Sequence, residues 1–395
     1  MNSFQTIAGI ALVTVSVMAH GGQWYKGDLH NHSLHSDGDS SVADVIASAE
    51  SRELDFFVLT DHDGDMNGEP THWWDPEYQS SSMILLYGVE WTTGDGHANV
   101  WAEQPYDYAP LWQAHQNSDP QAAVDAAHTA GALFSINHPV RLDWKYPVPT
   151  GVDAIEVWNG AMLINDNFHA SNDFWDDALL QSGTKITGVG GSDTHNLEGI
   201  LSPFQGHGNP STWVYAETPT PQGILDGIKA GHVSISATYD DYRVELDADA
   251  DGDGNFEAMM GDTVFANGNE VDFRLNIAGS GSGTGDMVQI PSSIVKAIDG
   301  SGKLKFWDAV WMSIQIALME NTDDLRMVMV VKNGDAYTGW LTSGGVDEIN
   351  FSDTPNAGSK GYYRVEVFGE PKVKGLNKII FAFRTALTNP IYVNY

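Results

Sequence analysis

The feature that most restricts how this chain can fold is a regular alternation, from Trp24 to about Tyr239, of short apolar runs with helix-like segments. FFVLT, MILLYGVE, ALFSINHP, GVDAIEVW and KITGVGGSD read as buried strands, each closing on polar or acidic residues. Between them, SVADVIASAESREL, PQAAVDAAHTAG and DFWDDALLQSG carry helical spacing, with Ser, Asp or Pro near the start and Gly near the end. A strand that is apolar along its length needs cover on both faces, so this alternation predicts an α/β fold with a parallel sheet and helices outside. Polar residues gathered at the strand ends predict a barrel with its site on that rim.

A chain of 395 residues exceeds one ordinary core and predicts two domains. The pattern changes after Tyr239: EVDFRLNIAG, LRMVMVVKNG and YYRVEVFGE have period two with Gly and Asn turns, which predicts an antiparallel β-sandwich over 241–395. GSGSGTGD at 279–286 reads as a flexible loop, and the apolar, aromatic stretch from Lys305 to Leu318 fits strand and helix equally. The apolar run IAGIALVTVSVMA, ending in Val17-Met18-Ala19, reads as a signal peptide over 1–19 and predicts a periplasmic or secreted protein. With no cysteine, disulfide frameworks and thiolate zinc sites are excluded. Fifty-three Asp and Glu against 19 Lys and Arg argue against nucleic acid or an anionic membrane as partner, and leave a small-molecule substrate as the expectation.

The first fifty residues hold one dense chemical stretch, GDLHNHSLHSDG. Residues two apart on a strand share a face, so His30 and His32 can aim two imidazoles at one ion. A lone HxH is weak, and its weight comes from repetition: His62 in LTDHD, Glu90 in GVEW, His138 in INHP, and Asp193 and His195 in GSDTH each stand at another apparent strand end.

In order, GDLHNHSLHSDG, VLTDHD, GVEW, GHANVW, NHPVR and GGSDTH resemble the PHP (polymerase and histidinol phosphatase) domain superfamily over residues 24–240. TDHD, GVEW, GHAN, VWNG, GGSDTH and a terminal TNPIYV resemble its carbaryl-hydrolase-like metallohydrolase branch. The resemblance implies a distorted (β/α)7 barrel with a site for two or three divalent ions, zinc, manganese or iron. It implies His30, His32, Glu90 and Asp193 around one ion, Glu90 bridging to a second held by His97 and His138, and Asp37, His62 and His195 around a third. His97 is preferred to His115, in a polar connection, and His128, on a helix face, on this resemblance and on ligand chemistry.

Around these residues several roles stay open. Asp28 either accepts the second ring N–H of His30 or is an ordinary strand-end aspartate. Asp61 and Asp63 are candidates to orient a histidine or exchange protons, and Arg141 either holds a substrate oxyanion or makes a surface salt bridge. Trp73, Trp74, Trp91 and Trp101 either wall the substrate or pack. His35 lies in the loop between ligands, facing substrate or solvent. Asp247, Asp249, Asp251 and Asp253 in DADADGDGNFE form either a calcium loop or an acidic interdomain loop; in the EF-hand register from Asp249 the closing Glu is replaced by Met260.

No G-x-S-x-G elbow, Walker loop or Rossmann fingerprint occurs, so water is the expected nucleophile, as a metal-bridging hydroxide with Asp193, Glu90 and Arg141 in the catalytic set. Paired ions match the spacing of phosphate oxygens, which predicts a phosphomono- or phosphodiesterase. The alternatives are a carbamate or other carboxylic ester or amide hydrolase, which the branch resemblance implies, and a non-catalytic carbohydrate- or partner-binding exported protein.

Overall fold

A computed structural model describes residues 21–140, 144–160, 167, 169–197, 206–278, 285–298, 315, 319, 324–369 and 383–395. The expected signal peptide, Arg141, nearly all of the GSGSGTGD loop and nearly all of the Lys305 to Leu318 stretch lie outside these residues.

Among the described residues the amino-terminal half supplies nine strands: β1 (Gln23–Asp28), β2 (Phe56–Leu59), β3 (Ile84–Thr93), β4 (Gly96–Ala102), β5 (Leu133–Ile136), β6 (Ala154–Asn159), β7 (Thr187–Gly191), β8 (Ser211–Ala216) and β9 (Val233–Ser236). Pairing runs from β1 to β7 in chain order, parallel except where β4 lies antiparallel to both neighbours. Just past β7, Thr194 bridges in parallel to Asn31, just past β1, with His32 N–H donating to Thr194 O at 3.0 Å and Asp193 N–H to His30 O at 2.8 Å. The path of seven strands therefore returns on itself at its carboxyl rim.

Local chemistry sets the helices around it. Ser41 caps the helix Val42–Glu50 by accepting from Asp44 N–H, and Asp119 caps Pro120–Thr129 by accepting from Ala122 N–H. The segment read as DFWDDALLQSG opens with a π-helical turn, Ala170–Trp175, before the α-helix Asp176–Ser182, which stops at the left-handed Gly183 (φ 59°). Trp91, Trp101 and Trp175 are fully buried, and Trp101 and Trp175 donate to the Leu29 and Ile186 carbonyls at 3.1 and 3.0 Å. Burying each ring removes ~150–250 Å² from water, roughly 4–6 kcal/mol of driving force before entropy is counted.

Among the described residues eleven further strands follow: β10 (Arg243–Asp249), β11 (Ala258–Met259), β12 (Thr263–Val264), β13 (Val271–Ala278), β14 (Met287–Gln289), β15 (Arg326–Lys332), β16 (Asp335–Thr342), β17 (Glu348–Asp353), β18 (Gly361–Gly369), β19 (Phe383–Thr388) and β20 (Ile391–Val393). β11-β10-β13-β17 form one antiparallel sheet. Val244, Leu246, Phe273 and Leu275 from it share a buried core with Val328, Val330, Val365 and Val367 from β15 and β18.

Hydrogen bonding crosses the boundary expected near residue 240. β9 pairs antiparallel with β19, so the sheet of the first half continues into the second. Asn389, in the terminal TNPIYV, accepts from Gly188 N–H and donates to the Gly188 and Val233 carbonyls at 2.7–3.0 Å, tying the chain end to β7 and β9.

Candidate metal centre

The rim of the first half gathers the candidate ligands. His30 and His32 are buried beyond β1, while Asn31 between them turns away and donates to Val58 O at 3.1 Å. Glu90 enters from β3, fully buried, and its Oε2 lies 3.3, 3.5 and 2.9 Å from His30 Nε2, His32 Nε2 and His62 Nδ1. Its Oε1 lies 3.2 Å from both His97 Nδ1 and His138 Nε2 and accepts from Asn137 Nδ2 at 2.9 Å. The two oxygens of one carboxylate thus face two groups of histidines.

Asp193 Oδ1 lies 3.3 and 3.2 Å from His30 Nε2 and His32 Nε2. Asp37 Oδ1 lies 3.2 Å from His195 Nε2 and 3.6 Å from both His62 Nε2 and His32 Nδ1. Two of the candidate ligands, Asp193 (φ 52°) and His138 (φ 25°), occupy left-handed backbone, which costs a residue with a side chain about 1–3 kcal/mol and concentrates at functional sites.

Whether this set suits cations can be judged from its own unsatisfied atoms. His30 Nε2, His32 Nε2 and Glu90 Oε2 are buried without a well-formed hydrogen bond, and all three point into the same small volume. Buried polar atoms left unpaired are costly, and a cation shared among them would satisfy all three. The donors are imidazole nitrogens and carboxylate oxygens, a set that accepts zinc, manganese or iron.

Supporting residues divide differently from the sequence expectation. The His30 Nδ1 partner is Glu156, at 2.9 Å, and not Asp28. Asp28 is buried against backbone, accepting N–H bonds from Gly208, Ser192 and His30 at 2.7, 3.0 and 3.3 Å. Glu156 stood in plain view inside GVDAIEVW, where a glutamate interrupts an apolar strand. Its other oxygen accepts from His138 N–H at 3.0 Å and Asn159 Nδ2 at 2.9 Å, so one carboxylate braces two candidate ligands.

Asp61 braces the ligand loop, accepting from Ser33 N–H and Oγ and from Ser36 Oγ at 2.7, 2.8 and 2.6 Å. Asp63 accepts from Thr92 N–H and Tyr108 OH at 3.0 and 2.9 Å, and lies 2.9 Å from His115 Nδ1. His115 is thereby engaged with Asp63, and His128 with Asp153 at 2.9 Å, while His97 meets Glu90. Trp73, Trp91 and Trp101 pack in the core, whereas Trp74 is exposed.

His35 turns outward to Thr71 Oγ1 and Asp75 Oδ2, at 2.7 and 3.0 Å. His35→Ala is therefore expected to keep metal content within about twofold of the wild type, and His32→Ala to lose at least about tenfold in affinity, by elemental analysis and titration. Equal losses in the two variants would contradict the geometry.

In the acidic loop, Asp249 Oδ1 accepts from Asp251 and Gly252 N–H and its Oδ2 from Gly254 N–H at 2.7–3.1 Å. The acidic side chains that approach one another are Asp249, Asp251 and Glu257. Asp247 does not belong with them: it sits on β10 and its Oδ2 accepts from Arg274 and Asn276 at 2.9 and 3.1 Å. Asp253 accepts instead from Asn255 N–H at 2.8 Å. Alternation in the sequence placed Asp247 with the loop because strand and loop share the Asp-Ala repeat.

The carboxylates of the cluster favour protons on two of its imidazoles. Burial pushes the His62 imidazole down, but Glu90, Asp37 and Asp193 outweigh it and hold the group up at about 9. The same contest, burial against Asp193, Glu156 and Glu90, leaves His30 well above its ordinary value. For Glu90 burial acts upward, yet His30, His62 and His97 hold the carboxyl well below the usual range.

A cation needs neutral imidazole, so binding must expel these protons. With His62 held up at about 9, affinity is expected to rise with pH from 7 to 9 by about tenfold per unit for each proton displaced. Titration calorimetry in buffers of different ionisation enthalpy would report that release; affinity unchanged over this range would contradict it.

No family model matches the chain. Over 194 residues, covering 43% of this chain and 79% of the relative, it is 23% identical to the protein named probable phosphatase YcdX of Escherichia coli strain K12. Among solved structures it is similar to a two-domain protein from Bacteroides vulgatus containing a predicted PHP-like metal-dependent phosphoesterase, with 15% identity, a TM-score of 0.44, and 94% and 96% of the two chains covered. It is also similar to the lesion-specific endonuclease EndoQ of Pyrococcus furiosus, with 13% identity, a TM-score of 0.38, and 54% and 58% covered. The residues that stand in PHP order along the sequence are those the fold collects at one rim, and in this the chain resembles the PHP superfamily.

Proposed function

We propose that the chain is an exported, metal-dependent phosphoesterase acting on small-molecule phosphate esters, with a distorted (β/α)7 barrel over 24–240 and a β-sandwich over 241–395. The observation that carries the reading is Glu90, buried, with one oxygen facing His30, His32 and His62 and the other facing His97 and His138. That arrangement suits two cations side by side, with Asp37, His62 and His195 as a third set. When bound, such ions supply a water of lowered pKa as nucleophile and neutralise charge on the phosphoryl oxygens. The name of the YcdX relative points to the same chemistry.

The chain's own residues hold this geometry. Glu156 fixes the His30 ring so that Nε2 points inward. Asn137 holds Glu90 Oε1, and Asn159 holds Asp193 Oδ2 at 3.2 Å, leaving Oδ1 to the histidines. Arg141 would hold a non-bridging phosphate oxygen by paired hydrogen bonds. The net charge of −34 opposes anionic substrates at long range, but bound cations reverse the local field and salt screens the distant carboxylates within about 10 Å. Export rests on the apolar run before Val17-Met18-Ala19. Among the described residues no helix is long and apolar enough to cross a membrane.

The test is turnover of p-nitrophenyl phosphate, bis-p-nitrophenyl phosphate and 1-naphthyl N-methylcarbamate by metal-reconstituted protein. Phosphate-ester hydrolysis that disappears with a chelator and in Asp193→Ala is the expected result. Turnover of the carbamate alone would replace this reading with the carboxylic-ester one, and metal-loaded protein inert to all three would favour a binding role.

A further inference from the structure

The carboxy-terminal half touches the metal centre through a continuous buried path. Arg384 on β19 is 4% exposed and reaches across to β6: its Nη2 donates to Val157 O at 3.3 Å and to Asn167 O at 3.4 Å, and its Nη1 to Ser171 Oγ at 2.6 Å. Its guanidinium lies 4.5 Å from the centroid of the Trp158 ring. Asn167 and Asn159 then clasp each other: Asn159 N–H donates to Asn167 Oδ1 at 2.8 Å and Asn167 Nδ2 to Asn159 O at 3.0 Å. Finally Asn159 Nδ2 donates to Glu156 Oε2 at 2.9 Å and to Asp193 Oδ2 at 3.2 Å.

We infer that the sandwich completes the metal centre, with Arg384 as a positioning residue that sets Asp193 and Glu156 through Asn167 and Asn159. This rests on reading the His30 and Asp193 cluster as a metal centre. Asn159 has to choose its orientation, since a flipped amide would present oxygen to two carboxylates. The clasp with Asn167 pins the Asn159 backbone, and Arg384 pins the Asn167 carbonyl and the β6 carbonyl two residues before Asn159.

The charge of Arg384 is itself held in place. Glu366 lies 3.6 Å from Arg384 and also pairs with Arg364, which grips Asp176 on the barrel side through Nη2 at 2.7 Å and Nε at 3.1 Å. Two guanidiniums and two carboxylates, all buried, thus balance one another across the junction. Removing one partner of such a set leaves a buried charge unpaired, so the network fixes where Arg384 can sit. The same network gives the second half a defined task, as a wall that sets the geometry of a site 191 residues earlier at Asp193.

The test uses the full-length protein loaded with Co²⁺, whose visible spectrum reports ligand geometry independently of turnover. Arg384→Met and Asn159→Ala are each expected to weaken Co²⁺ binding by about 10–100-fold and to shift the visible bands, and the double variant to lose little more than either alone. Arg384→Lys keeps the charge beside Glu366 but not the fork, and should fall between. Folded Arg384→Met with wild-type affinity and spectrum, or losses that add in full, would overturn the inference. If Arg384→Met does not fold, Arg384→Lys decides, and a wild-type spectrum from it would overturn it. Failure of the wild type to bind Co²⁺ would instead remove the metal-centre reading.

Discussion

Glu90→Gln is expected to lower phosphate-ester turnover on the order of 10³-fold, the upper end of what loss of one preorganised charge-stabilising group costs. The expected size follows from position. Glu90 is fully buried and its two oxygens serve both histidine groups, so the amide would put an N–H₂ donor where one group presents imidazole nitrogens for a cation. The charge balance fails too, since Glu90 is a main reason that His62 is held up at about 9. With that carboxylate neutral, burial dominates and the imidazole should titrate lower. The checks are metal per chain by elemental analysis, kcat and KM with p-nitrophenyl phosphate, and the His62 titration by NMR. Near-normal turnover with two ions still bound would remove Glu90 from its bridging position.

Much of this site was legible in the sequence, because strand periodicity is short-range physics. A two-residue spacing at a strand end puts His30 and His32 on one face whatever the rest of the chain does. The apolar runs match β2, β3, β5, β6 and β7 closely, since a strand covered on both faces reads as a near-continuous apolar run. β4 was harder. GHANVWA mixes Gly, His and Asn into a strand that lies antiparallel, so the choice of His97 over His115 and His128 rests on family resemblance and ligand chemistry and not on periodicity, and the reason it faces Glu90 is the β3–β4 hairpin.

What sequence could not give is pairing between distant side chains. Asp28 and Glu156 are both carboxylates near strand ends, and nothing local says which one meets His30 Nδ1. The answer depends on β6 lying beside β7, where Gly191 leaves room. The same limit hid the junction: Arg384, Arg364 and Glu366 alternate along ordinary period-two strands, and only the pairing of β9 with β19 brings them against the π-helical turn and β6.

Gly191→Ala tests that packing with the second large effect. A Cβ at Gly191 would stand 2.5 Å from His30 Cβ and 2.6 Å from Glu156 Oε1, both closer than such atoms approach. The Glu156 contact could be relieved, because a carboxylate can swing aside. The His30 contact cannot, because its Cβ moves only with the backbone that bridges to Thr194. The added methyl must therefore push β7 away from the chain beyond β1, and with it Asp193, two residues on. Expected are a stability loss of about 1–3 kcal/mol by urea denaturation and a metal affinity lower by about 10–100-fold. Glu156→Gln separates the two causes: it keeps the volume but weakens the support of His30, so affinity should fall while stability changes little. Combining Gly191→Ala with Glu156→Ala removes one clash and leaves the other, so stability should not return to that of Glu156→Ala alone. Full recovery would show that Glu156, and not the His30 backbone, is what requires glycine at this position.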